Sequence, residues 1–121
     1  MEKRILYVEN EDSIYKMLSR LLKNYDLKRA PNLEDALDVI QKEDFNLYIS
    51  DGNYPLKKGE SAVYAWKSFY DKLIKIRPNA NFVLYTGNPD TKKAAEALNI
   101  KAFNKTDISE FVDYVKEILK H

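Results

Sequence analysis

The chain lacks cysteine altogether, and its single histidine is the last of its 121 residues. These absences exclude disulfide frameworks, thiolate zinc sites, cysteine nucleophiles and histidine-based catalytic triads. An excess of one charge is missing as well, because 20 basic residues stand against 19 acidic ones. A net charge near zero offers no general attraction to nucleic acid or to acidic membranes, so neither is expected as a partner.

Long hydrophobic runs are also missing, since none approaches the ~20 residues of a membrane-spanning helix. The N-terminal sequence MEKRILYVENED turns acidic at once and has neither the apolar core nor the cleavage site of a signal peptide. We therefore expect a cytoplasmic protein without a membrane anchor. A chain of 121 residues with 45% hydrophobic and 32% charged residues is typical of one folded domain. We expect residues 1–121 to form a single domain with no effector domain.

Apolar strand patterns and amphipathic helix patterns alternate along the whole chain. Strands are predicted at Arg4–Glu9, Leu27–Ala30, Phe45–Ser50, Asn81–Thr86 and Ile100–Asn104. Helices are predicted at Ser13–Leu22, from the N-cap Asn32 through Ile40, at Glu60–Ile76, at Asn88–Leu98, and from Asp107 onward with support from Glu110. This alternation indicates βαβ units, and hence an α/β fold with a doubly wound parallel sheet covered by helices on both faces.

Glycine is scarce, and all three glycines, Gly52, Gly59 and Gly87, follow predicted strands. Ligands of open α/β sheets bind at the carboxyl ends of the strands, so that edge is the candidate site. Polar residues gather at the same edge: Glu9, Asn10, Asp51, Asn53, Thr86 and Lys105. Each of them alone could simply cap a helix or end a strand, but four strand ends carry such residues together.

Oxygen ligands of this kind suit Mg²⁺. A carboxylate beside such an ion can attack phosphorus and form an aspartyl-phosphate. Thr86 would offer a hydroxyl, and Lys105 an ammonium group, to the oxygens of the transferred phosphoryl group. The residues at this edge therefore predict phosphoryl chemistry at a magnesium site.

The motifs at these strand ends resemble the signature of response-regulator receiver domains, which belong to two-component signalling. They are VEN at Val8–Asn10, DGNYPLKKG at Asp51–Gly59, TG at Thr86–Gly87 and KT at Lys105–Thr106. The resemblance spans the whole chain and implies a flavodoxin-like (βα)5 receiver with strand order 2-1-3-4-5. It implies a stand-alone, non-enzymatic signalling domain that a histidine kinase or phosphotransfer protein phosphorylates.

The resemblance also implies a role for each residue at the edge. Asp51 matches the phosphoacceptor, Thr86 the hydroxyl that binds the phosphoryl group on activation, and Lys105 the lysine that pairs with it. The residues matching the Mg²⁺ ligands are Glu9, Asn10, Asp51 and, through its backbone carbonyl, Asn53. We also expect Asp51 to titrate below neutral pH.

The sequence departs from the family pattern at several places, one of which is Thr106, where family members usually have a proline after the lysine. Asn10 stands where a second carboxylate is usual, which predicts weaker Mg²⁺ binding unless Glu11 or Asp12 compensates. Ala102 stands at the position where family members carry the switch aromatic, three residues before Lys105. The neighbouring Phe103 should point to the other face of its strand. The stretch between Gly59 and Thr86 is longer than usual, which should lengthen the third helix or its exit loop.

Family members signal to a downstream protein through the face made by helix 4, strand 5 and helix 5. On this chain that face would carry Lys92, Lys93, Glu96, Lys101, Asp113 and Tyr114. A degenerate receiver that works as a phosphorylation-independent interaction module is the main alternative, motivated by Asn10 and Ala102. An aspartate-nucleophile phosphohydrolase is disfavoured, because it needs a second acid where this chain has Asn53.

Overall fold

The computed structural model describes residues 2–120 and contains a central sheet of five parallel strands. The strands are β1 (Arg4–Val8), β2 (Asp26–Ala30), β3 (Leu47–Ser50), β6 (Phe82–Thr86) and β7 (Ala102–Asn104). Their order across the sheet is β2-β1-β3-β6-β7. Counting only these five strands, this is the 2-1-3-4-5 order that the resemblance implied, so the doubly wound α/β fold is confirmed.

Five helices cover the two faces of this sheet. They are α1 (Asp12–Leu21), α2 (Leu33–Lys42), α3 (Trp66–Ile76), α4 (Pro89–Glu96) and α5 (Ile108–Leu119). One buried cluster joins the sheet to α2, α3 and α4, and a second joins it to α1 and α5. Within residues 2–120 no helix has both the length and the apolar character needed to span a membrane.

The predicted third helix, Glu60–Ile76, is wrong over residues 60–65. This stretch instead forms a hairpin, in which β4 (Asn53–Pro55) pairs antiparallel with β5 (Ala62–Tyr64). Gly59 takes a φ of 86° in the connecting loop, a conformation that L side chains rarely adopt. The extra residues therefore form a small second sheet, and α3 is not lengthened.

The helix ends show which capping signals operate. Asn32 accepts a hydrogen bond from the Asp35 N–H, and Asn88 accepts one from the Asp90 N–H, as expected of N-caps. Asp107 precedes α5 without making a side-chain cap hydrogen bond, so the predicted support from Glu110 is not used as a capping box. The fourth helix ends at Glu96 and not at Leu98, and Asn99 follows with a φ of 60°.

Candidate functional site

The polar residues predicted to meet at the carboxyl edge of the sheet line one cavity of about 330 Å³. All six candidate residues border it: Glu9, Asn10, Asp51, Asn53, Thr86 and Lys105. Glu11, Ala62, Gly87 and Asn88 complete the lining. The structure thus gathers residues that lie far apart in the sequence.

Backbone hydrogen bonds of the parallel sheet fix the positions of these strand ends. The Asp51 N–H donates to the Val8 carbonyl at 3.0 Å, and the Lys105 N–H donates to the Thr86 carbonyl at 2.8 Å. Glu9 is held in the same way, because its N–H donates to the Ala30 carbonyl at 3.0 Å. The side chains therefore leave a rigid edge, which holds a polar site in a fixed geometry.

Lys105 bridges two carboxylates of the cavity, those of Asp51 and Glu9. Its ammonium lies 3.1 Å from Asp51 Oδ2 and 3.0 Å from Glu9 Oε1. The Glu9 side chain is fully buried, and those of Asp51 and Lys105 are 13% and 19% exposed. Asp51 is thus the acid that a molecule entering the cavity can reach, while Glu9 lies behind it.

The ionisation of Asp51 differs from the sequence-based expectation. Burial and the negative charge of Glu9 raise the pKa of Asp51 to about 7, although Lys105 opposes the shift. The pKa of Lys105 is raised as well: burial disfavours its charged form, but the negative charges of Asp51 and Glu9 outweigh that cost. The direction of this shift runs against the expectation that Asp51 titrates below neutral pH, which stays a prediction.

Tyr7 is a site residue that the sequence analysis missed. Its fully buried hydroxyl donates a 2.7 Å hydrogen bond to Glu9 Oε1, and the Glu11 N–H donates to Oε2 at 3.2 Å. Burial, followed by the charge of Glu9, raises the pKa of Tyr7, so its hydroxyl keeps its proton. The signal was the spacing of Tyr7 and Glu9, which places both side chains on one face of an extended chain.

Asn10 is exposed at the mouth of the cavity, and its backbone is held from the side by Arg29. The Arg29 guanidinium donates to the carbonyls of Asn10 and Glu9 at 2.6 and 2.9 Å. The guanidinium also forms an ion pair with Asp12, and the Asp12 carboxylate is therefore engaged outside the cavity. Arg29 therefore fixes the loop that presents Asn10, which sequence reasoning did not foresee.

The donor set of the cavity fits a weakly held Mg²⁺. Glu9 and Asp51 are carboxylates whose mutual repulsion a cation would relieve, and Asn10 and Asn53 add neutral oxygens. Within residues 2–120, however, no group of three or more Asp, Glu, His or Cys side chains is arranged to hold a metal ion. Asn10 adds no carboxylate to this set, and the weaker Mg²⁺ binding expected from the sequence stays a prediction.

Thr86 closes the side of the cavity next to Asp51. Its hydroxyl oxygen accepts a hydrogen bond from the Asn88 N–H at 3.1 Å, and its side chain is buried. A Cβ added to Gly52 would lie 3.1 Å from this oxygen and 3.1 Å from a methyl carbon of Thr91. Gly52 therefore allows the chain leaving Asp51 to pass close to Thr86.

The strand that carries the switch position orients Ala102 and Phe103 as the sequence predicted. Ala102 is buried in the cluster that includes α4, whereas Phe103 packs against the other cluster and lies near Phe111 and Tyr114 of α5. No aromatic ring from β7 thus stands on the α4 side near Thr86.

The comparisons with known proteins bear on the fold. No family model matches the sequence, and no curated protein matches it. A signal receiver domain of an HD domain-containing protein from Pseudomonas fluorescens Pf-5 is 26% identical, with a TM-score of 0.80 over 100% of this chain and 97% of that one. The response regulator TrrA from Thermotoga maritima, solved with Mg²⁺ and BeF, is 24% identical, with a TM-score of 0.78 over 97% and 99%.

A Francisella response-regulator receiver domain gives a TM-score of 0.79 at 18% identity, over 98% of both chains. The structure therefore has the fold of response-regulator receiver domains, and the resemblance read from the motifs is confirmed. The receiver domain of the Pseudomonas protein, at 26% identity over nearly the full length of both chains, supports a response-regulator receiver role for this chain.

Proposed function

We propose that residues 1–121 act as one receiver domain that accepts a phosphoryl group on Asp51, with Mg²⁺, and passes the signal to a protein partner. The observation that carries this proposal is the position of Asp51, which borders the cavity and is held by Lys105 at 3.1 Å. Thr86 stands on the same cavity, where a phosphoryl group would need a donor. The cytoplasmic location expected from the sequence belongs to this proposal.

The reaction needs little from the protein beyond positioning and charge. An Asp51 carboxylate oxygen bonds to phosphorus while the bond from phosphorus to a donor histidine nitrogen breaks, and that nitrogen leaves with the electron pair. Lys105 stabilises the charge on the phosphoryl oxygens, and the Thr86 hydroxyl donates to one of them. Gly52 contributes as well, because its N–H already donates to Asp51 Oδ1 at 2.7 Å.

The same proposal assigns the Mg²⁺ ligands to Glu9, Asn10, Asp51 and Asn53. When bound, the ion supplies positive charge to the phosphoryl oxygens and favours the ionised form of Asp51. Tyr7 keeps the Glu9 carboxylate in place for this purpose, and the second and third hydrogen bonds to Glu9 come from Lys105 and Glu11. The reduced carboxylate count implies that millimolar rather than trace Mg²⁺ should be supplied in experiments.

The phosphoryl donor is a histidine kinase or a phosphotransfer protein, and output leaves through α4, β7 and α5. The exposed charges on that surface include Lys93, Glu96, Lys101 and Asp113. Ala102 occupies the position where family members carry the switch aromatic. A movement of Thr86 on activation would therefore not be coupled to an aromatic ring of β7 on the α4 side. We propose that the signal reaches the partner through repositioning of the loop from Thr86 to Asn88.

A phosphorylation-independent interaction module is the second candidate. Lys105 already pairs with both carboxylates, so part of the site's negative charge is neutralised without a metal. Asn10 carries no charge, so the cavity has less negative charge with which to attract a metal ion. On this reading the fold and its surfaces would bind a partner constitutively.

Mg²⁺ with beryllofluoride, a phosphoryl mimic, separates the two candidates. We expect amide resonances of Gly52, Gly87 and Lys105 to shift in the wild type and in Asp113→Asn, whose altered carboxylate is exposed on α5. The Asp51→Asn variant should not respond. A folded wild type whose amide spectrum is unchanged at saturating mimic would favour the phosphorylation-independent module.

A further inference from the structure

The β4–β5 hairpin forms one wall of the cavity that contains Asp51. Asn53 from β4 and Ala62 from β5 both line this cavity. Asn53 pairs with Tyr64, and Pro55 pairs with Ala62, in the antiparallel register. Directly opposed residues project from the same face, so Asn53, Pro55, Ala62 and Tyr64 lie on one face of the hairpin, and of these Asn53 and Ala62 line the cavity.

Val63 occupies the opposite face of the same strand. It alternates with Ala62 along β5 and pairs with the buried Tyr54. Val63 is 42% exposed and does not line the cavity. Neighbouring positions of one short strand therefore differ in whether their side chains face Asp51.

Several contacts hold this wall in place. The Tyr54 side chain is fully buried, and its hydroxyl lies 3.1 Å from Ser50 Oγ, next to the phosphoacceptor. The Glu34 N–H donates to the Leu56 carbonyl at 3.0 Å, which ties the hairpin to the start of α2. At the other end, the Trp66 N–H donates to the Gly52 carbonyl at 3.2 Å. The hairpin is thus a fixed boundary rather than a loose loop.

We propose that this hairpin, through Ala62, controls the access of water and small phosphoryl donors to Asp51. The inference rests on the function proposed above. Hydrolysis requires a water oxygen to bond to phosphorus while the bond from phosphorus to the Asp51 oxygen breaks. The carboxylate leaves with the electron pair, and the proton of the water passes to the phosphate. The water must approach opposite the leaving oxygen, so a larger apolar side chain at the cavity mouth displaces it.

The test compares Ala62→Leu with Val63→Leu, which place the same side chain on the two faces of β5. Each protein is phosphorylated with acetyl phosphate and Mg²⁺, the donor is removed by rapid desalting, and the phosphorylated fraction is followed by intact mass. We expect the phosphoryl half-life to lengthen about threefold or more in Ala62→Leu, and to stay within about 1.5-fold of wild type in Val63→Leu. Circular dichroism and urea unfolding confirm that both variants fold.

Each outcome bears on the proposal. Failure of Ala62→Leu to accept phosphate from acetyl phosphate, while Val63→Leu accepts it normally, also supports control of access at this position. Equal half-lives in both variants and the wild type, or equal changes in both variants, overturn the inference but leave the proposed function standing. A wild type that takes up no phosphoryl group overturns the proposed function and this inference with it.

Discussion

Lys105 Nζ donates to Asp51 Oδ2 at 3.1 Å, although the two residues lie 54 positions apart in the sequence. The same ammonium also contacts Glu9, so one cation faces two carboxylates. Burial, together with the negative charge of Glu9, accounts for the raised pKa of Asp51. The site is therefore prepared to receive a further positive charge, which an incoming cation would supply.

The raised pKa of Asp51 predicts how pH affects stability. A carboxyl group with a higher pKa in the folded state binds more protons when folded, so its contribution to stability is present at acid pH and is lost as pH rises to about 7. Asp51→Asn removes this loss. We expect the free energy of unfolding of the variant, relative to wild type, to increase by about 1–3 kcal/mol between pH 5 and pH 8 without Mg²⁺.

Urea unfolding at the two pH values measures this difference. Asp113→Asn is the matched control, because it removes a carboxylate that is exposed on α5 and lies outside the cavity. If the difference in the free energy of unfolding between Asp51→Asn and wild type is the same at both pH values, the neighbours of Asp51 do not raise its pKa.

Asn10 predicts a gain of metal affinity by a single substitution. Asn10→Asp adds a carboxylate to the mouth of the cavity, and we expect Mg²⁺ to bind about tenfold more tightly by isothermal titration calorimetry. Asn88→Asp adds the same charge at another point of the cavity lining while keeping an N-cap residue on α4. If both variants gain equally, net charge and not ligand position controls the affinity.

Tyr7 predicts a stability effect transmitted through Glu9. Tyr7→Phe leaves a fully buried carboxylate with one hydrogen-bond donor fewer, and we expect a loss of about 1–3 kcal/mol in the free energy of unfolding. Tyr85→Phe is the comparison, because its buried ring loses only a 3.3 Å hydrogen bond to the Lys105 carbonyl. The Tyr85 variant should lose less than the Tyr7 variant in urea unfolding at pH 7, and a reversed order would contradict the role of Tyr7.

The sequence predicted the elements whose signals are local and periodic. The apolar runs of β1, β3 and β6 and the apolar stripe of α5 needed no knowledge of their neighbours. The Asp51–Lys105 site was predictable because parallel strands bring their carboxyl ends to one edge. In these cases a one-dimensional pattern and a general packing rule were enough, except that the order of the strands came from the resemblance to receiver domains.

The hairpin was not predictable in this way. Residues 60–65 directly precede α3, and the sequence analysis extended the helical pattern of α3 back over them. Their structure depends instead on pairing with Asn53–Pro55 and on the turn at Gly59. Strand pairing depends on partners that a local pattern does not reveal. The role of Arg29 was missed for the same reason, because it depends on contacts with the carbonyls of Glu9 and Asn10 in another segment. Tyr7 differs, because its partner Glu9 lies only two positions away along the same extended stretch.

Intact mass after incubation with acetyl phosphate and Mg²⁺ tests the central claim most directly. We expect the wild type to gain the mass of one phosphoryl group, hydroxylamine to remove it, and Asp51→Asn to show no gain. A folded wild type that gains no phosphoryl group, beside a receiver domain that does so under the same conditions, would contradict the proposed phosphoacceptor function.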